Sequence, residues 1–287
     1  MNVKTSVSSY LLLLPLAATV VLTGSLHDAS DEGTKYARFR VDQRTAHGVV
    51  EDGTIRPLAG TFFDHATQQT YPRSEVELLP PTQPTKVLGV ALNYRSHTGQ
   101  LEENPENIPD TLQLFFKSPS SVIGPNDEIE IPEGAENVHY EAEMVIVIGK
   151  EAEDVPVEEA GEYVLGVTCG NDVTAREWQT QDMQWWRGKG ADTFAPVGPY
   201  VVSGLDYNSL DIEVRLNGEV QQSSNTRLMA RDVEEIVSFA SQHITLKPGD
   251  LIYTGATGIT SEIEPGDVVE VDLEGVGVLR NRVVAEE

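Results

Sequence analysis

Cysteine is almost absent: Cys169 is the single one in 287 residues, so no intrachain disulfide can form and the fold has to rest on a packed core. Its apolar setting, after Tyr163-Val164-Leu165-Gly166-Val167-Thr168, predicts a buried inert thiol rather than a nucleophile. Lysine is also scarce. Seven lysines supply only part of 20 basic residues, which face 46 acidic ones for a formal net charge of −26. That balance makes nucleic acid and anionic membrane surfaces poor partners, and it fits an acidic, halophilic-type surface. No glycine pattern of a dinucleotide fold or phosphate loop is present, which speaks against a nucleotide cofactor. No apolar run is long enough for a stable membrane span. The longest, residues 10–22 behind Lys4, has signal-peptide length, but Leu26-His27-Asp28-Ala29-Ser30 makes a poor cleavage site. Residues 1–34 are therefore read as an N-terminal extension, either signal-like or the product of an upstream start. The expected location is cytoplasmic, with export through residues 10–23 as the alternative.

What the chain does have is strand-forming sequence. Residues 36–41, 46–50 and 54–57 alternate around polar turns, with Glu51-Asp52-Gly53 as a hairpin signal, and define a small β-rich N-terminal domain over residues 35–80. The run Leu78-Leu79-Pro80-Pro81-Thr82-Gln83-Pro84-Thr85 sustains neither a helix nor a central strand and reads as a linker. Further strands are expected at 86–92, 112–116, 138–148, 163–168, 200–202, 211–216, 251–254 and 268–273. One amphipathic helix is clear, with Val233, Ile236, Val237 and Ala240 at helical spacing behind Asp232 as N-cap. Pro248-Gly249-Asp250 and Pro265-Gly266-Asp267 each launch an apolar strand and read as hairpin turns. The expected fold class is mainly β (α+β).

The chemistry concentrates at Tyr140-Glu141-Ala142-Glu143-Met144, which opens the apolar run Val145-Ile146-Val147-Ile148. Alternate residues of a strand share a face, so Glu141 and Glu143 point the same way about 6–7 Å apart. Apolar residues on both faces predict burial on both sides. Two adjacent buried carboxylates repel each other and lose hydration unless a cation compensates. This points to a hard divalent ion, Mg²⁺ or Mn²⁺ with Ca²⁺ as an alternative; exposed acids at a strand end are the competing reading. Asp172 is the third ligand candidate, at a point where a buried strand ends and a helix is expected to begin. On that helix Asp172, Arg176 and Gln179 fall at i, i+4 and i+7, one face; plain helix capping is the other role open to Asp172. Lys189 lies between Gly188 and Gly190, where the backbone can approach a ligand, with a solvated loop cation as the alternative.

Together, Ala91-Leu92-Asn93-Tyr94 followed by His97, Phe116-Lys117-Ser118-Pro119, Tyr140-Glu141-Ala142-Glu143, Asn171-Asp172 with Ala175-Arg176 and Gln179, Lys189-Gly190-Ala191-Asp192 with Pro196-Val197-Gly198-Pro199, and Gly249-Asp250-Leu251-Ile252-Tyr253-Thr254-Gly255 resemble the fumarylacetoacetate hydrolase family in order and spacing. The likeness covers residues 85–285. It implies a catalytic domain of mixed sheets forming a rolled β-sandwich, preceded by the small N-terminal domain and assembled as a homodimer. It further implies Mg²⁺ or Mn²⁺ held by Glu141, Glu143 and Asp172, with His97, Lys189 and Gln179 as catalytic residues. Tyr94, Arg176, Thr254 and Gly255 would bind substrate, Arg176 also orienting the carboxylates. Two positions depart from the family pattern. Gln100 stands where many relatives carry a Glu that pairs with the histidine, and Ala256-Thr257 replaces Thr-Pro.

The expected activity is metal-dependent chemistry on a small-molecule 2-oxo acid through an enolate. Hydrolysis of an acylpyruvate C–C bond, with His97 activating water, or isomerisation of a 2-hydroxy-2,4-dienoate in aromatic catabolism fits best. A lyase (2-oxo acid decarboxylase or 2-oxo-3-deoxy sugar acid dehydratase) and a non-catalytic metal-stabilised binding protein are the alternatives.

Overall fold

Every residue of the strand Ala142–Ile148 is buried, which requires cover on both faces and both edges. In the computed structural model, which describes residues 33–62, 64–94 and 108–286, this strand lies between Val164–Asn171 and Leu251–Tyr253 deep inside a 12-stranded sheet. The order across that sheet is Tyr71–Pro72, Thr54–Pro57, Arg44–Glu51, Thr34–Val41, Ala195–Ser203, Val164–Asn171, Ala142–Ile148, Leu251–Tyr253, Val87–Ala91 and Gln113–Lys117. Glu77–Leu78 pairs with Thr34–Val41, and Val122–Ile123 with Ala195–Ser203. A five-stranded sheet runs Glu219–Asn225, Asp211–Leu216, Val268–Leu273, Gly277–Ala285 and Glu128–Ile131. All these strands belong to the unit Asp31–Glu287.

The two-residue period of the strand divides its side chains between two cores. Met144, Ile146 and Ile148 pack with Ile212, Val214, Val269 and Val271 of the smaller sheet, and with Ile236 and Val237 of the helix Val233–Ser241. Val145 and Val147 face the other way, against Val87, Val197, Leu251 and Tyr253. The fold is mainly β with a few short helices, as the sequence pattern requires. Asp232 caps Val233–Ser241 through a capping box, accepting Glu235 N at 2.8 Å while Glu235 accepts Asp232 N at 3.2 Å. Cys169 is fully buried, donates its S–H to Gly277 O at 3.1 Å, and has its pKa pushed by burial up to about 12. Among the described residues no helix is long and apolar enough to cross a membrane.

The N-terminal strands have a small core of their own, Ala37, Phe39, Ile55, Val76 and Leu78. Yet they continue the large sheet, because Thr34–Val41 pairs with Ala195–Ser203. The Asp52-Gly53 turn closes a two-residue hairpin with φ of 48° and 73°, the doubly positive turn that matches strand twist.

The connection after Leu78 is irregular, and it is docked onto the fold. Asp250 accepts Thr85 N, Thr85 Oγ1 and Lys86 N at 2.8–2.9 Å and Lys247 N at 2.7 Å, and Thr82 Oγ1 donates to Gly249 O at 2.8 Å. Burial alone would push the Asp250 carboxyl up, but the Lys86 ammonium, 2.8 Å from Oδ2, and then these donors hold it below the usual value. Its contribution is thus present at neutral pH and lost as pH falls through that lowered pKa. Asp250→Ala is expected to cost about 2–4 kcal/mol, since three partly buried N–H groups and a hydroxyl lose one buried charged acceptor; urea unfolding at pH 7 measures it, and a loss below about 0.5 kcal/mol would contradict the account.

Two expectations are corrected. Neither Pro-Gly-Asp turn closes a hairpin: Leu251–Tyr253 pairs parallel with Val87–Ala91, and Val268–Leu273 pairs with Asp211–Leu216 and the later Gly277–Ala285. The strand expected over 138–148 breaks at Tyr140-Glu141 into Val138–His139 and Ala142–Ile148. The sequence reading also lacked Gly277–Ala285, whose inward row Leu279, Asn281, Val283 is interrupted by a polar residue. Asn281 is accommodated by donating to Gly124 O and Asp127 O at 2.8 and 2.9 Å.

Candidate active site

The break at Tyr140-Glu141 builds the acidic cluster. Val138–His139 turns away to pair with Thr174–Ala175, while Glu141 N donates to Asn171 Oδ1 at 2.9 Å and Asp172 N to Glu141 O at 2.8 Å. The ends of two neighbouring strands are thereby stitched together with their acids converging. One ligand atom from each of Glu141, Glu143 and Asp172 lies within 4.8 Å of the others, and all three residues are buried. Asp172 directly follows the strand Val164–Asn171 and lies outside the helix, which begins only at Arg176 with Ala175 as N-cap. The expected i, i+4, i+7 helical face from Asp172 is therefore absent. Asp172 does not cap the helix, and Arg176 and Gln179 share a six-residue helix, Arg176–Gln181, without it.

Three cations balance the acids. Lys189 Nζ donates to Glu141 Oε2 and to Asp172 Oδ2, each at 2.6 Å. Lys117 Nζ donates to Asp172 Oδ1 and to the Lys189 carbonyl. Arg176 Nη2 meets Glu141 Oε1 at 2.7 Å and Thr260 Oγ1 at 2.8 Å, and its Nη1 donates to Gln179 Oε1 at 3.2 Å. Lys189 is buried, so the solvated-loop reading does not hold. Burial alone would lower its pKa, but Asp172 and Glu141 override that and hold it above the usual lysine value. For the equally buried Lys117, burial prevails, reinforced by the Lys189 charge, and its pKa is lowered.

Glu143 is set apart. Its Oε2 accepts Gly255 N at 2.7 Å, while burial first, and then the Asp172 and Glu141 charges, push its pKa well above the ordinary range. A buried carboxylate that resists ionising beside two others is the local imbalance a divalent cation relieves, and three convergent carboxylate oxygens are the donors a hard ion takes. The residues fit such an ion.

The cluster floors a cavity of about 290 Å³ that also receives Arg176, Gln179 and Lys189. Its walls are Val90, Ala91, Leu92, Phe115, Trp185 and Ala256. Leu92 and Trp185 both have positive φ, 58° and 56°, a backbone state large side chains avoid and one that gathers at functional sites. Three residues expected to bind substrate lie beneath the floor instead. Tyr94 and Thr254 are fully buried, the Thr254 hydroxyl donating to Met144 O at 2.9 Å. Gly255 offers its N–H to Glu143. Burial, and then the Glu143 charge, raise the Tyr94 phenol above its usual pKa. His97 and Gln100 lie outside the described residues.

Lys117, Phe115 and Trp185 were not read as site residues from the sequence. Lys117 carried a usable signal, being one of seven lysines and closing an apolar strand, Gln113–Lys117. The two aromatics carried none, since aromatic residues near strands are usually core.

Mixed sheets joined around a buried carboxylate triad, with a lysine set into it beneath a cavity, define the architecture. Residues 86–284 match the fumarylacetoacetate (FAA) hydrolase C-terminal family and residues 34–81 the Rv2993c-like N-terminal family; the chain belongs to the fumarylacetoacetate hydrolase family. It is 40% identical over 225 residues to the mitochondrial oxaloacetate tautomerase Fahd2a of Rattus norvegicus, covering 74% of this chain and 71% of the relative. Among solved structures, the 2-hydroxyhepta-2,4-diene-1,7-dioate isomerase of Mycobacterium marinum superposes with a TM-score of 0.81 at 37% identity, over 88% of this chain and 99% of that one. The maleylpyruvate hydrolase of Sphingobium sp. SYK-6, solved with manganese(II) and pyruvate, superposes with a TM-score of 0.72 at 25% identity, over 88% of this chain and 100% of that one.

Proposed function

We propose that the protein is a divalent-metal-dependent tautomerase or isomerase of 2-oxo acids, with Glu141, Glu143 and Asp172 as ligands for Mn²⁺ or Mg²⁺. The observation that carries this reading is the placement of Lys189 Nζ, 2.6 Å from both Glu141 and Asp172 and facing the cavity. When bound, the ion supplies Lewis-acid polarisation of the substrate's 2-oxo and carboxylate oxygens. Lys189 holds or releases a proton at Nζ beside the carbon and oxygen that exchange one in keto–enol conversion. Gln179, whose carbonyl oxygen is occupied by Arg176, turns its NH₂ to the substrate carboxylate, and Arg176 fixes Glu141. Phe115 and Trp185 shield the reacting atoms from water.

Relatives named as a tautomerase and an isomerase at 37–40% identity support the same chemistry. Acylpyruvate hydrolysis ranks second. It needs an activated water, the role assigned to His97, and Gln100 cannot raise the basicity of a histidine as a glutamate does. A silent binding protein would need the three acids but neither Lys189 nor Gln179 at the cavity.

Ketonisation of enol-oxaloacetate and of a 2-hydroxy-2,4-dienoate, followed by loss of enol absorbance, is expected after loading with Mn²⁺ or Mg²⁺ and is expected to vanish in EDTA. Undiminished turnover in the chelated protein would defeat the proposal. Gln100→Glu is expected to raise acylpyruvate cleavage roughly tenfold with little effect on ketonisation, within the range that positioned acid–base groups contribute. No change in cleavage would mean that another acid serves His97.

A further inference from the structure

Phe115 is locked by the strand opposite. It pairs with Gly89, and a Cβ at that glycine would lie 2.2 Å from the ring, so the ring fills the space that a side chain at 89 would take. Its other neighbour is Trp185, at 5.4 Å between centroids and 66° between planes. The two rings, with Ala91, border both the catalytic cavity and a second, larger one of about 500 Å³. Beyond that shared wall the lining is Leu114, Phe116, Met183 and Trp186 with the amides of Gln113 and Gln184, and none of these side chains is charged. Phe116, Met183 and Trp186 are exposed. Single exposed apolar residues are ordinary, but a contiguous set sharing lining residues with a reaction cavity marks a binding surface.

We infer that the larger cavity is the subsite for the part of the substrate beyond C3, and that it selects a 2-oxo acid with an uncharged aromatic 4-substituent over one ending in a second carboxylate. This rests on the proposed 2-oxo acid chemistry for the head group. The contrast between the cavities carries the argument. The smaller concentrates three acids and two cations, whereas the larger offers aromatic faces and edges, a thioether and two amides. A planar ring gains stacking and edge contacts there, while a carboxylate leaves water for a lining with no cation to receive it. The nearby guanidinium of Arg187 is already committed to Asp182 at 3.0 and 3.1 Å and covers the Trp178 ring at 4.7 Å.

Calorimetry on the Mn²⁺-loaded protein tests this with three probes: oxalate for the head group alone, benzoylpyruvate for an aromatic tail and fumarylpyruvate for a carboxylate-ended one. Benzoylpyruvate is expected to bind at least tenfold tighter than fumarylpyruvate. Trp186→Ala, at an exposed position outside the smaller cavity, is expected to reduce the ratio of benzoylpyruvate to oxalate affinity about tenfold. Gln184→Arg is expected to shift preference toward fumarylpyruvate. Tighter binding of fumarylpyruvate by wild type, or an unchanged ratio in Trp186→Ala, would overturn the subsite. Failure of wild type to bind oxalate would overturn the head-group assignment instead.

Discussion

Glu143→Gln is expected to weaken Mn²⁺ binding about 100-fold, roughly 2.7 kcal/mol, while making the metal-free protein more stable at neutral pH. Both effects have one origin. Lys189, Lys117 and Arg176 are bonded to Asp172 and Glu141, whereas Glu143 is buried against Gly255 N, and burial and the Asp172 and Glu141 charges hold its pKa well above the usual carboxylate value. Well below the usual carboxylate pKa its carboxyl is protonated in folded and unfolded chains alike, and the substitution changes little. As pH rises through the raised folded pKa, the unfolded chain ionises more readily and wild type loses stability; glutamine has no proton to lose. The metal-free variant should therefore melt several degrees above wild type at pH 8, given about 2–4 °C per kcal/mol for a domain of this size. The gap should close as pH falls through the usual carboxylate value. Saturating Mn²⁺ should reverse the order, because wild type gains about 2.7 kcal/mol at 100 times its Kd. Calorimetric titration and thermal melts read both effects, and equal Mn²⁺ affinity in the two proteins would remove Glu143 from the ligand set.

The strand expectations succeeded where burial is one-sided or uniformly apolar. Residues 211–216 and 268–273 matched to the residue, because period-2 alternation leaves no other face to bury. They failed where tertiary contacts alone decide: Asn281 points inward only because two carbonyls of the 124–127 turn receive its amide. At the site, the Glu-x-Glu pair was legible because apolar residues surround it, and Asp172 was legible as a partner. The reason given for Asp172 was wrong, since convergence comes from the broken strand at Tyr140-Glu141 and not from a helical face. Lys117 offered only the signal of a rare lysine closing an apolar strand, and its role at the site was not legible from that. A buried lysine is explained by what it neutralises, and Asp172 is 55 residues away in sequence. Local pattern carries no information about that distance.

The second large effect is expected at Lys189. Lys189→Met should lower kcat for ketonisation by about 10³, within the 10²–10⁴ that a positioned acid–base group contributes, while Mn²⁺ affinity stays level or tightens. The ammonium shares Glu141 Oε2 and Asp172 Oδ2 at 2.6 Å each, so an ion approaching those oxygens contends with it for the same lone pairs. Removing the ammonium removes that competition. It also leaves two buried carboxylates short of a cation, and losing one partner of a buried pair costs about 3–5 kcal/mol. The metal-free variant should thus melt well below wild type, and Mn²⁺ should restore more of the loss than it adds to wild type. Lys189→Arg sharpens the test. It keeps the charge and should recover much of the metal-free stability, but its guanidinium does not give up a proton in this range, so kcat should remain low. Full turnover in either variant would take the proton-transfer role from Lys189. A methionine variant that folds but binds Mn²⁺ more weakly would mean that the lysine supports the ligands rather than competing with the ion.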